Sequence, residues 1–337
     1  MMSNIKRAVS LYSFQDEYAT KRMSLEDIFR YITELDIEGV ELISDQMIHG
    51  APHPSEETVL MWRNLMEKYG RKPVCNDIFI NSTLYRNRRL TVKEQTELLK
   101  AEIVNAHRLG FSLIRLVSDT EARIIEPVLA TAEKYGVTLA LEIHAGMSFH
   151  GRGTKAYLEV MKKLHHPLVG IVVDMGIFCK RHPRVARTYF SQFGLNPALA
   201  DYVDAIFDEG SDMLRYFGNL ERDVPEYPDE IKKLLLTQID REYLIFSSGY
   251  ENTPFEELEE YLPYLKHIHG KCYEMTDAME EYSIPYGDIM KRLDDRGYDG
   301  YMATEYEGNR FVLLDEQVDS LKNVSRHQAM LKKYIAR

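Results

Sequence analysis

Four helical segments of this chain stop at a glycine that is followed, within one to three residues, by a short apolar and β-branched run. Gly70 leads into PVCNDIF, Gly110 into FSLIRLV, Gly136 into VTLALEIH and Gly297 into YDGYMATEYE. Glycine accepts the left-handed conformation that other residues resist, so each marks a helix end with a strand close behind. Helix starts are marked by a hydroxyl residue with a carboxylate three places on: Thr91 with Glu94, Ser118 with Glu121, Thr253 with Glu256, and a weaker Ser24 with Asp27. Adding AVSLYSF, EGVELIS, LVGIVVDMG and KHIHGKCYE gives eight strands, expected near residues 8–14, 38–43, 73–79, 111–117, 137–144, 168–175, 266–274 and 300–306. Eight alternating βα units predict a (β/α)8 TIM barrel, a single α/β domain over residues 1–337.

The rhythm breaks once. Between strands six and seven lie roughly 90 residues, where a parallel crossover needs only about a dozen. Residues 176–265 are therefore expected to form a helical insertion, carrying ALADYVDAIFDEGSDMLRYFG, TPFEELEEYLPYLK and turns around Pro225 and Pro228. On a βα loop such an insertion emerges at the catalytic face. The tail, 311–337, reads as a C-terminal helical extension.

Composition excludes several classes. A formal charge of -11 repels phosphate and argues against nucleic-acid binding. No stretch approaches a membrane span, and the start, MMSNIKRAVSLYSF, reads as a strand rather than a leader. Cys75, Cys179 and Cys272 are scattered, without a C-x-x-C pair, so a disulfide framework or thiolate zinc site is not indicated, and a reducing cytoplasm is the expected location. H-E-x-x-H, G-x-S-x-G, P-loop and strand-leading G-x-G-x-x-G motifs are absent from the sequence.

Barrel active sites sit at the carboxyl ends of the strands. Glu142, Asp174, His269 and Glu305 close strands five, six, seven and eight. A lone carboxylate there is costly to bury, and a divalent cation offsets that cost. Three carboxylates with one imidazole suit one octahedral ion, Mn²⁺ ahead of Mg²⁺ or Co²⁺. Residues two apart on a strand share a face, which puts His144 beside Glu142 as a candidate base, and Lys271 beside His269 as a stabiliser of negative charge on the substrate. His267 reads as a packed core histidine or an orienter of a ligand. Glu41, Asn76, Asp77 and Arg115 are weaker pocket candidates. His165 and His166 fall in a turn at the opposite face, and His49 and His53 fall in the second βα loop.

With these four ligands in order on their strands, and with IPYGDIMKRLDDRGYDGYMATEYE as a final βαβ segment, residues 5–310 resemble the xylose isomerase-like sugar isomerase and epimerase superfamily of TIM barrels. That family often carries D-x-x-H on strand six. Here Ile177 stands three places after Asp174, a departure that speaks against ordinary keto-sugar epimerisation. SLYSFQDEYATKRMSLEDIF, the EIH of strand five, DMGIFCKRHPR and the long insertion are more similar to the α subunit of C-glycoside deglycosidases. The resemblance implies a hetero-oligomer with a smaller β subunit and a lyase that cleaves the sugar-to-aglycone carbon bond of 3-oxo-C-glycosides. His144 would remove the C2 proton of the keto sugar before β-elimination. The same proton removal begins isomerase, epimerase and keto-inositol dehydratase reactions. An endonuclease-like barrel would need a His-rich multi-zinc cluster and a basic rim, and a non-catalytic sugar-binding subunit would bind without turnover.

Overall fold

The computed structural model describes residues 3–83, 87–118, 120–147, 149–211, 213 and 227–336. Eight parallel strands close in chain order: β1 (Lys6–Ser10), β2 (Gly39–Ile43), β3 (Lys72–Ile78), β4 (Leu113–Leu116), β5 (Thr138–Ile143), β6 (Val169–Asp174), β7 (Leu265–Cys272) and β8 (Tyr301–Tyr306). β8 closes on β1 with Lys6 opposite Tyr301. The first strand is shorter than the 8–14 run expected. The Ser10 hydroxyl accepts the Tyr12 amide at 3.4 Å and turns Leu11–Phe14 into a 3-10 helix.

Gly70, Gly110 and Gly136 are left-handed helix ends, as the sequence implies. Capping boxes form at Thr91 with Glu94 and at Ser24 with Asp27. The other two do not, because each carboxylate or hydroxyl has another partner. Glu121 pairs with Arg123 at 2.9 Å, and the helix Ile125–Tyr135 starts later, behind a 3-10 turn. Thr253 donates to Glu251 at 3.0 Å, while Glu256 takes Arg292 at 2.6 Å. A box that the sequence reading missed, Thr237 with Asp240, opens the helix Gln238–Ser247.

Period-two alternation builds the barrel interior in layers. Cys75, Leu113, Ala140 and Val172 form a small buried apolar cluster. Two residues further along the same strands stand Asp77, Arg115, Glu142 and Asp174, all buried. Dry packing below thus sets a charged ring at the strand ends. Outside, Trp62 of the helix Glu56–Tyr69 is fully buried, meets Phe29 edge-on, stacks on Phe111 and donates to the Leu109 carbonyl at 3.0 Å. The C-terminal helix Ser320–Ile335 covers the closing seam, with Gln328 Nε2 donating to Ala8 O and Thr304 Oγ1, both at 2.7 Å.

Between β6 and β7 lie the helices Arg184–Ser191, Pro197–Asp208, Asp229–Leu234 and Gln238–Ser247, with a short turn of helix at Glu256–Glu259. His182, Tyr243, Tyr250 and Phe207 pack as an aromatic cluster among them. The end of the helical run expected over 198–218, Met213 apart, and the turn at Pro225 lie outside the described residues. Among the described residues no helix is long and apolar enough to cross a membrane.

Glu102, on the helix Val92–Leu109, is buried. Burial pushes its carboxyl up to about 7, against a hydrogen bond with Asn105 and with Asp45 reinforcing. The folded chain then keeps a proton that the unfolded chain releases above about pH 4.5, so this residue's contribution falls between pH 4.5 and 7 by roughly 3 kcal/mol. Glu102→Gln is expected to match wild type near pH 4.5 and to exceed it at pH 8 by about 2–3 kcal/mol. Urea unfolding at the two pH values checks this; a difference independent of pH refutes it.

Candidate active site

Parallel register brings the four strand-end residues together. Asp174 pairs with His269 across β6 and β7, and Glu305 pairs with Lys271 across β7 and β8. One donor atom from each of Glu142, Asp174, His269 and Glu305 lies within 4.8 Å of the others, and all four residues are buried. His269 Nδ1 is 2.7 Å from Glu142 Oε1 and 3.4 Å from Glu305 Oε2. Its other nitrogen is 3.0 Å from Glu41 Oε2, which also takes His267 Nε2 at 2.7 Å. A carboxylate behind a histidine fixes the ring's tautomer and plane, and so fixes which nitrogen faces the cluster.

The cluster is short of positive charge. Glu41, Asp77, Glu142, Asp174 and Glu305 are buried carboxylates, and the permanent cations buried among them are Arg115 and Lys271. Burial works against ionising Glu142, yet Arg115 and His269 hold it down at about 2. Burial likewise opposes ionisation of Glu305, and Lys271 and His269 carry it well below the usual range. Asp174, with Lys271 opposing, is pushed by burial up to about 6. Burial disfavours a charged His269, but Glu41, Glu305 and Glu142 raise it well above an ordinary imidazole. Asp174 Oδ2 and Glu305 Oε2 are buried without a hydrogen-bond partner. Hard oxygen donors in surplus, with one imidazole, fit a divalent cation.

Lys271 Nζ lies 2.9 Å from Asp174 Oδ2, 2.8 Å from Glu305 Oε2 and 3.0 Å from Glu307 Oε2. His144 follows the last residue of β5 and places Nδ1 2.7 Å from the Ala145 carbonyl. A carbonyl only accepts, so Nδ1 carries the proton and Nε2 is the basic atom. Glu251, from the insertion, holds this turn by accepting the Gly146 amide at 2.9 Å.

A cavity of about 410 Å³ opens over the cluster. Glu142, His144, Asp174, Lys271 and Glu305 line it, with Arg115, while His269 sits beneath. The structure therefore gathers the six residues read from the strand ends. Asn76, His49, His53, His165 and His166 do not line the cavity. Lining residues not found from sequence include Tyr12, Glu307 and, on the insertion, Phe246 and Tyr250. Glu307 was legible in principle, as the i+2 neighbour of Glu305; the insertion residues carry no strand-end signal.

The model of the xylose isomerase-like TIM barrel family matches residues 29–205. The chain belongs to that family. It is 27% identical over 320 residues to the 3'-dehydrocarminate deglycosidase alpha subunit of a Microbacterium species, covering 91% of this chain and 90% of that protein. To a C-glycoside deglycosidase alpha subunit of Arthrobacter globiformis it is also 27% identical, over 90% of this chain and 84% of the relative. Among solved structures, a sugar phosphate isomerase/epimerase from Parabacteroides distasonis aligns with a TM-score of 0.59 at 12% identity, covering 99% of this chain and 100% of the other. At that identity the likeness is one of fold.

Glu41 Oε2 is hydrogen-bonded to His267 Nε2 and stands 3.0 Å from His269 Nε2, so Glu41→Ala takes the carboxylate away from two buried imidazoles. In metal-free protein this substitution is expected to cost about 3–5 kcal/mol of stability. Urea unfolding after treatment with a chelator measures it, and a loss below about 1 kcal/mol would show that the two rings do not depend on Glu41.

Proposed function

We propose that the chain is the α subunit of a hetero-oligomeric, metal-dependent lyase that cleaves the sugar-to-aglycone carbon bond of 3-oxo-C-glycosides. One observation carries the reading: a hard four-donor cluster and an imidazole with a free basic nitrogen share one cavity. Relatives named as deglycosidase alpha subunits, aligned over nine-tenths of the chain, support the substrate class and a smaller β subunit as partner. Three buried, free cysteines are in keeping with a cytoplasmic setting.

Glu142, Asp174, His269 through Nδ1, and Glu305 would hold the ion, Mn²⁺ or a similar octahedral cation. When bound, it supplies Lewis-acid polarisation of the substrate ketone. His144 Nε2 takes the C2 proton, and the electron pair passes toward the C3 oxygen. The Lys271 ammonium, held beside Glu305, offers positive charge to the enediolate. As the ketone re-forms, a C1–C2 double bond is made and the C1–aglycone bond breaks. The bonding pair leaves with the aglycone carbon, which takes up one proton.

Epimerisation needs a second acid or base on the opposite face of the sugar. The residue three places after Asp174 is Ile177, fully buried and without a proton to give, which favours elimination over return of the proton.

Purified protein is expected to carry one divalent ion per chain by mass spectrometry, and Glu305→Gln to lose it. With the β subunit present, a 3-oxo-C-glucoside should release free aglycone. Conversion of a free ketose without aglycone release would point instead to an isomerase or epimerase, and water loss from a keto-inositol to a dehydratase. His144→Ala is expected to keep its ion and fold while losing about 10²–10⁴-fold in kcat. Full activity in that variant removes His144 from the role of base.

A further inference from the structure

Two buried groups beside the cluster have no part in this scheme, Asp77 and Arg115. Register sets them side by side on β3 and β4. Arg115 Nε stands 3.1 Å from Asp77 Oδ1 and 3.5 Å from Glu142 Oε2. The arginine side chain is only 5% exposed, yet Nε and Nη1 have no hydrogen-bond partner. A guanidinium offers five donors in a planar fork and never loses its charge, so leaving it underused in a buried place is costly. Phe79 lies 5.3 Å from the guanidinium carbon and restricts its plane, and both residues line the cavity. The side chain is held from two sides where it borders the space a ligand would fill.

We infer that Arg115 contacts the substrate, donating to a sugar oxygen that gains negative charge as the C2 proton leaves, with Asp77 and Phe79 as its positioning residues. The inference rests on the keto-sugar reading of the cavity and gives that site an anchor distinct from the metal ligands. A donor aimed at developing charge acts more strongly on the transition state than on the bound substrate, so its loss falls on kcat more than on KM. Lysine preserves the charge but not the fork.

The test uses the metal-loaded chain with its β subunit, as wild type, Arg115→Lys and Arg115→Ala. Bound metal is measured by mass spectrometry, aglycone release by steady-state kinetics, and binding of 3-oxo-glucose by calorimetry. All three proteins are expected to hold the ion equally, since removing a cation beside Glu142 does not weaken its hold on another. Arg115→Ala should lose about 10²-fold in kcat/KM, mainly in kcat, and Arg115→Lys about tenfold. Added guanidinium ion should restore part of the alanine variant's activity, and ammonium should not. Unchanged kinetics in Arg115→Ala overturn the inference. So does a loss of bound ion in step with activity, which reduces Arg115 to a support for Glu142. Wild type that neither binds 3-oxo-glucose nor releases aglycone overturns the keto-sugar reading and this inference together.

Discussion

A surplus of buried carboxylate at the strand ends is the constraint around which this barrel is organised. Five acidic side chains meet two permanent cations in a place that water barely reaches, and isolated charges there carry a penalty of several kcal/mol each. The protein's own responses are visible: an imidazole driven toward its protonated form, one carboxyl held far down and a neighbour pushed up. The raised imidazole and the raised carboxyl each bring a proton into the same few ångströms, beside a carboxylate that stays ionised. A strand end that needed only solubility would have let these groups reach solvent. Here the register of the closed barrel points them at one another.

The insertion completes the site from outside the barrel. Phe246 and Tyr250 give the cavity an aromatic wall, while Glu251, next in the chain, accepts the Gly146 amide in the turn after His144. The residue proposed as the base and the wall that would receive an aglycone are thus tied to one segment. Such coupling suits a fold whose barrel stays fixed while its loops vary.

Much of this was legible because strands announce themselves by period. An apolar run ending in VVD, ALE or IHG places the polar residue at the strand end, and the closed barrel then gathers those ends. Glu41 sits within GVELI, flanked by buried Val40 and Leu42; nothing local distinguishes it from an ordinary strand residue. Its role comes from His267 and His269, 226 and 228 positions away, which no window on the chain contains. The two capping boxes that fail do so for a related reason. Arg123 and Arg292 compete for the carboxylates, and only Arg123 is close enough in sequence to give warning.

Lys271 shows how the site distributes charge once a substrate is considered. Three carboxylates surround its ammonium at 2.8 to 3.0 Å, and Glu307 is the one that accepts a hydrogen bond from it. Glu307 is the one outside the four-donor cluster and the most exposed of the three, with 14% of its side chain accessible, and Arg310 already stands 2.7 Å from it. Handing Glu307 to Arg310 frees a donor on Lys271 while leaving Asp174 and Glu305 paired. The order of the chain, Glu305, Glu307 and Arg310 at the end of β8, is thus also an order of decreasing commitment to the cluster. Positive charge can advance toward the cavity without the ligand carboxylates being uncovered.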